Sequence, residues 1–425
     1  MRKVFMYALT VLALLGVVAC AQPVSGELIK SEKQRETSPD VNEADLTTLV
    51  DGNSAFAFDM YQALREEDGN LFYSPYSISL ALAMTYAGAR GETAQQMADT
   101  LHFTLENNRL HPAFNWLDIE LGSRGEGAKG KDEEGFRLNI VNAIWGQKGY
   151  EFLSKFLDIL AENYGAGLRP LDFAKAPEES RITINNWVSD QTEGRIEDLI
   201  PQGLIDTLTR LVLTNAIYFN AAWQYPFEEE MTKDGPFYLL DGDEVTVPMM
   251  KQTEHFSYTE GEGYQAVELP YDGRELSMVI LLPRTDNFKS FEGSLDYQRL
   301  DSLIKALEYR RVNLTMPKFE FESDFRLGET LAAMGMPDAF AWPIADFSGM
   351  TGNRDLFIGD VVHKAFVSVD EAGTEAAAAT AVVMPTAMPP EEPVEVTVDR
   401  PFIFLIRDIE TGAILFVGRV VDPST

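Results

Sequence analysis

The spacing of hydrophobic residues changes from a helical to a strand pattern along the chain. In the first half, apolar residues recur at intervals of three and four, which is typical of amphipathic helices. We expect helices over residues 55–65, 77–88, 152–164 and 182–191. The segment 77–88 is almost entirely apolar, so we expect this helix to be deeply buried, and Ser77 is a candidate for its N-cap.

The second half of the chain alternates apolar and polar residues, a pattern that favours strands. The predicted strands cover residues 210–220, 244–250, 276–282, 311–321, 363–370, 394–398, 402–407 and 414–421. Helices and strands do not alternate regularly, which favours an α+β fold over a doubly wound sheet. Residues 45–425 contain no repeat and no change of composition, so we expect one domain there.

The N-terminus has the pattern of a signal peptide. Arg2 and Lys3 precede an apolar run over residues 4–18, which is short for a membrane-spanning helix. Val17-Val18-Ala19-Cys20 is similar to a bacterial lipoprotein box, so we expect a signal peptide over residues 1–19 and a lipid on Cys20. Ordinary secretory cleavage is the alternative. The polar residues 20–44 lack periodicity, and we expect a flexible tether.

Composition excludes several kinds of function. The 425 residues include 35 Lys and Arg against 67 Asp and Glu, a formal net charge of −32. Binding to nucleic acid or to anionic lipid headgroups needs basic surface, so neither is expected. Cys20 is the single cysteine, which excludes an intrachain disulfide, and its place in the N-terminal run excludes thiolate catalysis and cysteine-based zinc sites.

Motifs for enzymatic chemistry are weak. Residues 125–132 are similar to a phosphate-binding loop, but Asp132 follows the lysine where Ser or Thr is needed to hold magnesium. We expect residues 122–135 to be an exposed loop. The sequence has no Gly-x-Ser-x-Gly and no His-Glu-x-x-His motif, and its four histidines are scattered. We therefore expect no enzymatic activity, no metal site and no cofactor.

The segment between the predicted strands 363–370 and 394–398 has small side chains and no clear structural preference. Four consecutive alanines favour a helix, but Gly373 and Thr374 oppose its start and Pro385 opposes its end. A long exposed loop in a compact domain is usually functional. The alternative is a surface helix or an irregular connection.

Strand geometry indicates that this segment can be added to a sheet. If it became a strand, alternate residues would face opposite sides. Thr374, Ala376, Ala378 and Thr380 would face one side, and Glu375, Ala377, Ala379 and Ala381 the other. The first set is small and uncharged, so it fits against a hydrophobic core, whereas Glu375 falls on the solvent side.

From about residue 55 to residue 423, an ordered series of motifs resembles the serpin family. They are Asn70-Leu-Phe-Tyr-Ser-Pro-Tyr-Ser-Ile-Ser79, Leu211-Val-Leu-Thr-Asn-Ala-Ile-Tyr-Phe219 with Trp223, Met316-Pro-Lys-Phe319, residues 331–336, Phe347-Ser-Gly349, His363-Lys-Ala365, Arg400-Pro-Phe-Ile-Phe-Leu-Ile-Arg-Asp408 and Ile414-Leu-Phe-Val-Gly-Arg-Val420. The resemblance implies three β-sheets, eight to nine helices and an exposed reactive loop near the C-terminus.

The resemblance also implies roles for particular residues. Ser74, Ser77, Asn215 and His363 would lie beneath the place where the central sheet parts, and Trp223 where insertion of the loop begins. The loop hinge would run from Glu371 to Thr380. Inhibitory members have Gly, then Thr or Ser, then small residues in the hinge; Gly373, Thr374, Ala376, Ala377, Ala378, Ala379 and Thr380 match, and Ala372 departs from a more usual charged residue.

Counting along the loop by the family pattern places the cleaved bond between Ala387 and Met388. The neighbouring bonds Met384-Pro385 and Met388-Pro389 are poor substrates for most serine proteases. A small residue before the bond suits a shallow specificity pocket, so the expected target is elastase-like or subtilisin-like. Because residues 388–400 are about three residues longer than is common, cleavage after Thr386 or Val383 is an alternative.

The resemblance therefore implies a suicide-substrate inhibitor that traps a serine protease as a covalent acyl-enzyme by inserting its loop into a sheet. A non-inhibitory binding or chaperone-like module is the alternative. We expect a monomer outside the cytoplasm, anchored to the cell envelope through Cys20 or else secreted.

Overall fold

A computed structural model describes residues 28–125, 137–192, 194–374 and 392–425. The helices in these ranges are α1 Glu43–Leu64, α2 Pro75–Tyr86, α3 Gly91–Thr100, α4 Asn107–Ser123, α5 Ser154–Tyr164, α6 Pro177–Gln191, α7 Phe288–Gly293, α8 Tyr297–Lys305, α9 Leu327–Met334 and α10 Ser348–Thr351. Short 3₁₀ turns cover Glu229–Met231, Thr285–Asn287 and Pro337–Phe340. In the part of the chain that the structure describes, no helix has the length and apolar character needed to cross a bilayer.

The strands form two hydrogen-bonded sheets. They are β1 Leu71–Tyr73, β2 Arg137–Gln147, β3 Leu168–Leu171, β4 Leu211–Ala222, β5 Lys233–Tyr238, β6 Glu244–Gly261, β7 Tyr264–Pro270, β8 Leu276–Pro283, β9 Glu308–Pro317, β10 Phe319–Arg326, β11 Ile358–Val369, β12 Gly373–Thr374, β13 Val394–Thr397, β14 Phe402–Asp408 and β15 Ile414–Val420. The α+β class expected from the sequence is confirmed.

The larger sheet has nine strands in the order β1-β15-β14-β8-β7-β6-β9-β13, with β5 paired to β6. Strand β6 is 18 residues long and pairs with β5, β7 and β9 along different parts of its length. Strand β6 therefore joins into one sheet groups of strands that would form two separate sheets in a three-sheet arrangement. Where the resemblance implies three sheets, the described residues show two.

The smaller sheet has six strands in the order β10-β11-β12-β4-β2-β3. Strands β4 and β11 are parallel and bond directly to each other from Leu211 and Ile358 to Ile217 and Ala365. Beyond that pairing, the short strand β12 lies between them and is antiparallel to both. The two central strands are thus closed along most of their length and separated at one end.

Two of the predicted element boundaries are wrong for identifiable reasons. Helix α1 begins at Glu43, well before residue 55, because the side chain of Asn42 accepts a hydrogen bond from the backbone N–H of Asp45 and caps the helix there. In α2 the N-cap is Ser74 and not Ser77: the Ser74 hydroxyl accepts from the Ser77 N–H at 3.2 Å.

The predicted strand 311–321 is two strands in different sheets. Strand β9 ends at Pro317, β10 begins at Phe319, and Lys318 is the single residue between them. Periodicity could not find this break, since apolar residues continue on both sides of Lys318. The predicted loop 122–135 is also wrong at its start, because Gly122 and Ser123 are the last residues of α4. Residues 126–135 of that prediction lie outside the described residues.

The six-stranded sheet separates two hydrophobic clusters. The main core lies on the side of α2, which packs against β2, β4 and β15 and so lies between the two sheets. A smaller cluster on the other side contains Val188 of α6 together with Val212 and Ala216 of β4 and Val362 of β11. Helix α6 therefore covers the outer face of the two central strands, and its packing includes side chains from both of them.

Part of the predicted tether is ordered against the domain. Ile29 exchanges two backbone hydrogen bonds with Leu168 of β3, at 2.8 and 3.0 Å. Arg35 bonds to Asn115 at 2.7 Å and to Asp118 at 2.6 Å, and Lys33 pairs with Glu162 at 2.7 Å. The prediction of a flexible tether is therefore wrong from residue 28 onward. The segment has the composition of a solvated linker, but its basic residues pair with carboxylates of α4 and α5.

Candidate functional site

The candidate site begins where β12 lies between β4 and β11. Gly373 pairs with Ala222, and Thr374 pairs with Ala221 on one side and with Val369 on the other. A Cβ atom on residue 373 would lie 2.2 Å from the Ala221 carbonyl oxygen, so only glycine fits there. The hinge residues Gly373 and Thr374 thus already occupy the separated end of the central strands.

Thr374 is held in a polar and aromatic pocket. It is 1% exposed, and its hydroxyl lies 2.8 Å from the hydroxyl of Tyr271. The Tyr271 ring stacks on Trp223 with their centroids 4.7 Å apart and their planes 7° from parallel. Burial raises the pKa of Tyr271 well above its usual range, so the phenol is neutral and can donate to or accept from Thr374.

Trp223 also holds the turn that leads into β12. Its backbone N–H donates to the Ala372 carbonyl at 2.8 Å, and its indole N–H donates to the Asp370 carbonyl at 3.0 Å. The Asp370 side chain accepts from the N–H groups of Ala372 and Gly373, at 2.8 and 3.2 Å. The turn between β11 and β12 is therefore fixed by hydrogen bonds from Trp223 and by hydrogen bonds within the turn to the Asp370 side chain.

Glu371 anchors this turn through charge. Its carboxylate lies 2.7 Å from the Lys318 ammonium and accepts from the Thr232 hydroxyl at 2.7 Å. Burial alone would raise the pKa of Glu371, but the hydrogen bonds from Lys318 and Thr232 outweigh it and leave the pKa below its ordinary value. Lys318, which separates β9 from β10, thus ties both sheets to the hinge.

The second part of the site lies beneath the pairing of β4 and β11. Asn142 of β2, Asn215 of β4 and His363 of β11 occupy matching positions on three adjacent strands. The side-chain oxygen Oδ1 of Asn215 accepts from the Ser77 hydroxyl at 2.8 Å and from Nδ1 of His363, and the side-chain Nδ2 of Asn215 donates to Oδ1 of Asn142. Nε2 of His363 accepts from the Ser74 N–H at 3.1 Å.

This network links the N-terminus of α2 to all three strands. Ser74, Ser77, Asn215 and His363 are fully buried, so each polar group needs its partner inside the protein. Separating β4 from β11 would break the hydrogen bond between Asn215 and His363. The network therefore opposes opening of the sheet below β12.

Acid is expected to weaken this network through His363. Burial lowers the pKa of His363 from 6.5 to about 3, so an opened or unfolded state takes up a proton that the closed state does not. Stability should therefore fall as the pH decreases from about 6.5 towards 3. We expect the thermal unfolding midpoint to fall across this range, and to fall less in His363→Gln than in the unmodified protein.

His111 provides the matched control for this measurement. Burial also lowers its pKa, to about 4, but it lies on α4 beside Tyr164 and not between the central strands. His111→Gln should keep the share of the pH dependence that comes from His363. Equal pH dependence in His363→Gln and the unmodified protein would contradict the assignment.

The structure brings together most of the residues that the sequence singles out. Ser74, Ser77, Asn215 and His363 meet in one network, and Trp223, Glu371, Gly373 and Thr374 meet at the separated end of the sheet. Glu375, Ala376, Ala377, Ala378, Ala379, Thr380, Ala387, Met388 and Cys20 lie outside the described residues. Over residues 28–125, 137–192, 194–374 and 392–425, no group of His, Cys, Asp or Glu is placed to hold a metal ion.

Sequence reasoning missed Asn142, Lys318, Thr232 and Tyr271. Asn142 carries a detectable signal, because an asparagine inside the apolar run 140–145 needs a polar partner once the strand is buried. Lys318 carries a weaker one, as a charge between the apolar residues Pro317 and Phe319. Thr232 and Tyr271 become recognisable only when the fold places them beside Glu371 and Thr374.

Comparisons with known proteins concern the family and the fold. The family model described as "Serpin (serine protease inhibitor)" matches residues 51–423. An uncharacterised serpin-like protein of Thermococcus kodakarensis is 43% identical over 378 residues, covering 88% of this chain and 86% of the relative. The human leukocyte elastase inhibitor is 43% identical over 388 residues, covering 88% and 99%. The native structure of the thermophilic serpin tengpin superposes with a TM-score of 0.80 at 30% identity, covering 93% and 97%.

Proposed function

The chain belongs to the serpin family of serine protease inhibitors, and from this premise we propose that it traps its target protease as a covalent acyl-enzyme. The observation that carries the proposal is the placement of Thr374 between β4 and β11 while those strands remain paired below it. Gly373 and Thr374 already form a short strand in the sheet. The paired strands β4 and β11 define the path that the following loop residues would take.

The proposed reaction starts as ordinary proteolysis. The serine Oγ of the protease attacks the carbonyl carbon of Ala387 and loses its proton to the catalytic histidine. The bond to the nitrogen of Met388 breaks, Met388 leaves as an amine that takes up that proton, and Ala387 remains as an ester on the serine. Hydrolysis of this ester by water would return the active protease.

Insertion of the freed loop competes with that hydrolysis. Continuing the register of Thr374 with Ala221 places Ala379 opposite Ala216 and Val383 opposite Val212. Ala216 and Val212 pack beneath α6, so the odd-numbered loop residues would pass under that helix and not face open solvent. Alanine at 377, 379 and 381 suits this covered face, and the small even-numbered residues suit the main core.

The target specificity is also a proposal. Ala387 before the cleaved bond fits a protease with a shallow pocket, and the related human protein is named for its inhibition of leukocyte elastase. We therefore propose an elastase-like or subtilisin-like target. Lipidation of Cys20, attachment to a membrane and the monomeric state stay predictions.

The experiment is to incubate residues 21–425 with elastases, subtilisin, chymotrypsin and trypsin, and to follow the products by denaturing gels and intact-mass spectrometry. We expect a covalent complex with an elastase-like or subtilisin-like protease and a released peptide that begins at Met388. A released peptide that begins at another residue would support the same mechanism with a different cleaved bond. Cleavage by every protease without any complex would favour the non-inhibitory binding module.

A further inference from the structure

A short stretch of chain at the end of β4 holds the hinge turn in place. We call residues 222–227 the connecting segment. The backbone N–H of Phe227 donates to the Glu371 carbonyl at 2.8 Å. Together with the two hydrogen bonds from Trp223, it gives the connecting segment three bonds to the turn between β11 and β12. The position of the hinge therefore depends on what holds this segment.

The connecting segment is bonded on its other side to the turn between β7 and β8. The Asp272 N–H donates to the Ala222 carbonyl at 2.8 Å, and the Gln224 N–H donates to the Pro270 carbonyl at 3.0 Å. Tyr271, whose hydroxyl contacts the hinge threonine, belongs to the same turn. The backbone pairing thus joins the two stretches of chain that hold the hinge.

A side-chain contact at the surface closes this pairing. The guanidinium of Arg274 donates to the hydroxyl of Tyr225 at 2.5 Å, and its Cζ lies 5.7 Å from the centroid of the Tyr225 ring. The Tyr225 carbonyl accepts from the Gln252 side chain at 3.1 Å. The Tyr225 ring packs edge-on against Phe256, with their centroids 6.1 Å apart. Tyr225 therefore ties the connecting segment both to β6 and to the turn between β7 and β8.

Arg274 has a backbone conformation that arginine rarely adopts. Its φ angle is 57°, in the left-handed region, and its N–H donates to the Tyr271 carbonyl at 2.9 Å to close the turn. Side chains other than those of asparagine, aspartate and histidine are uncommon in this region, because Cβ crowds the backbone. Such a conformation persists where surrounding contacts hold it, and it often marks a functional position. The hydrogen bond to Tyr225 is one contact that holds Arg274.

We propose that Tyr225 and Arg274 are positioning residues for the hinge. Their contact fixes the connecting segment against the turn between β7 and β8. Trp223 and Tyr271 then stay stacked and hold Thr374 between β4 and β11. Both positioning residues act on the hinge through these two aromatic residues.

The consequence for inhibition rests on the proposed function. Insertion of the loop starts from the register of Thr374, so a hinge that has left the sheet must enter it again before insertion continues. Hydrolysis of the acyl-enzyme proceeds during that delay. Loss of the contact between Tyr225 and Arg274 should therefore lower the share of protein in covalent complex and raise the share of cleaved protein.

The first test uses the uncleaved protein and needs no protease. Tyr225→Phe removes the hydroxyl and keeps the ring on Phe256, and Arg274→Asn removes the guanidinium while keeping a residue that tolerates the left-handed backbone. Hydrogen–deuterium exchange is followed at the amides of Trp223 and Phe227, which bond to the hinge turn. Because each variant loses a hydrogen bond with a charged donor, we expect exchange about tenfold faster, equivalent to ~1.4 kcal/mol of easier local opening.

Three comparisons separate positioning from general damage. Amides of β14 and β15, in the main core, should exchange at the unmodified rate. Tyr225→Phe/Arg274→Asn should exchange no faster than either single variant, because both changes remove the same contact. Tyr297→Phe is the matched control: it removes a hydroxyl that donates to Asp51 at 2.6 Å, between α8 and α1. It should leave exchange in the connecting segment unchanged.

The second test measures the consequence for inhibition. Each variant is incubated with a protease that forms a covalent complex with the unmodified protein, and the products are separated on denaturing gels. The ratio of complexed to cleaved protein should fall in Tyr225→Phe and in Arg274→Asn, by up to about tenfold if the hinge position limits insertion. The ratio should be unchanged in Tyr297→Phe.

Unchanged exchange at both amides of the connecting segment would overturn the proposal. Equal acceleration in β14 and β15 would also overturn it, since the contact would then stabilise the whole domain and not the hinge. Faster local exchange with an unchanged ratio of complexed to cleaved protein would refute the role in inhibition. If the unmodified protein forms no complex with any protease, the proposed function fails, while the exchange measurement still decides whether the contact positions the hinge.

Discussion

Replacing Thr374 with arginine is expected to abolish stable complex formation while the loop is still cleaved. Thr374 lies between β4 and β11 with its hydroxyl on Tyr271, and insertion of the loop must keep this residue in the sheet. A guanidinium there would be buried beside the stacked rings of Tyr271 and Trp223. The neighbouring carboxylates already have partners, since Asp370 accepts from backbone N–H groups and Glu371 pairs with Lys318. Burial of an unpaired charge costs several kcal/mol.

That cost acts on the competition between insertion and hydrolysis. A penalty of about 3 kcal/mol changes the ratio of cleaved to complexed protein by about 100-fold, because each factor of ten corresponds to about 1.4 kcal/mol. The measurement is the fraction of protein found in covalent complex on denaturing gels, over a range of ratios to the protease. Thr374→Arg should give cleaved protein and active protease.

Two variants separate this effect from general damage. Thr374→Ser keeps the hydroxyl and the small volume, so it should still form complexes. Thr397→Arg places the same charge on an exposed position of β13 and should also remain an inhibitor. Covalent complexes formed by Thr374→Arg at the unmodified yield would refute insertion as the trapping step.

Parts of this site could be predicted because their physical requirements are local. The small hinge residues from Gly373 onward suit insertion into a sheet whatever the rest of the fold, and an apolar segment such as 77–88 is buried in any arrangement. The polar residues Ser74 and Ser77 at the start of α2 could be assigned to the site only through the family resemblance. Their role is to bond across strands, and periodicity carries no information on which strands are adjacent.

The features that could not be predicted depend on contacts between distant segments. Lys318 looks like an interruption in a strand, and only the turn from β9 to β10 places its ammonium on Glu371. The charged residues near Arg35 look like a solvated linker until α4 and α5 bring carboxylates to them. The sequence predicts that Glu375 would face solvent in an inserted strand. Helix α6 partly covers that face of the sheet, a contact that only the packed structure reveals.

Cleavage of the loop without a protease attached is expected to raise the heat stability of the protein. In the uncleaved chain β4 and β11 bond directly to each other below β12. Insertion of residues 375–385 replaces that single pairing with two, a net gain of about one hydrogen bond per inserted residue. At about 1 kcal/mol each, these bonds contribute about 10 kcal/mol.

The expected shift is measurable by calorimetry or circular dichroism. In a domain of this size each kcal/mol moves the melting temperature by about 1–2 °C, so we expect a rise of roughly 10 °C or more. Thr374→Arg, cleaved in the same way, should show little rise, because its hinge resists entry into the sheet. The uncleaved protein is then kept in its state by a kinetic barrier, which the Ser74, Ser77, Asn215 and His363 network supplies in part. An unchanged melting temperature after complete cleavage would show that the loop does not insert, and would leave only binding as a function for this fold.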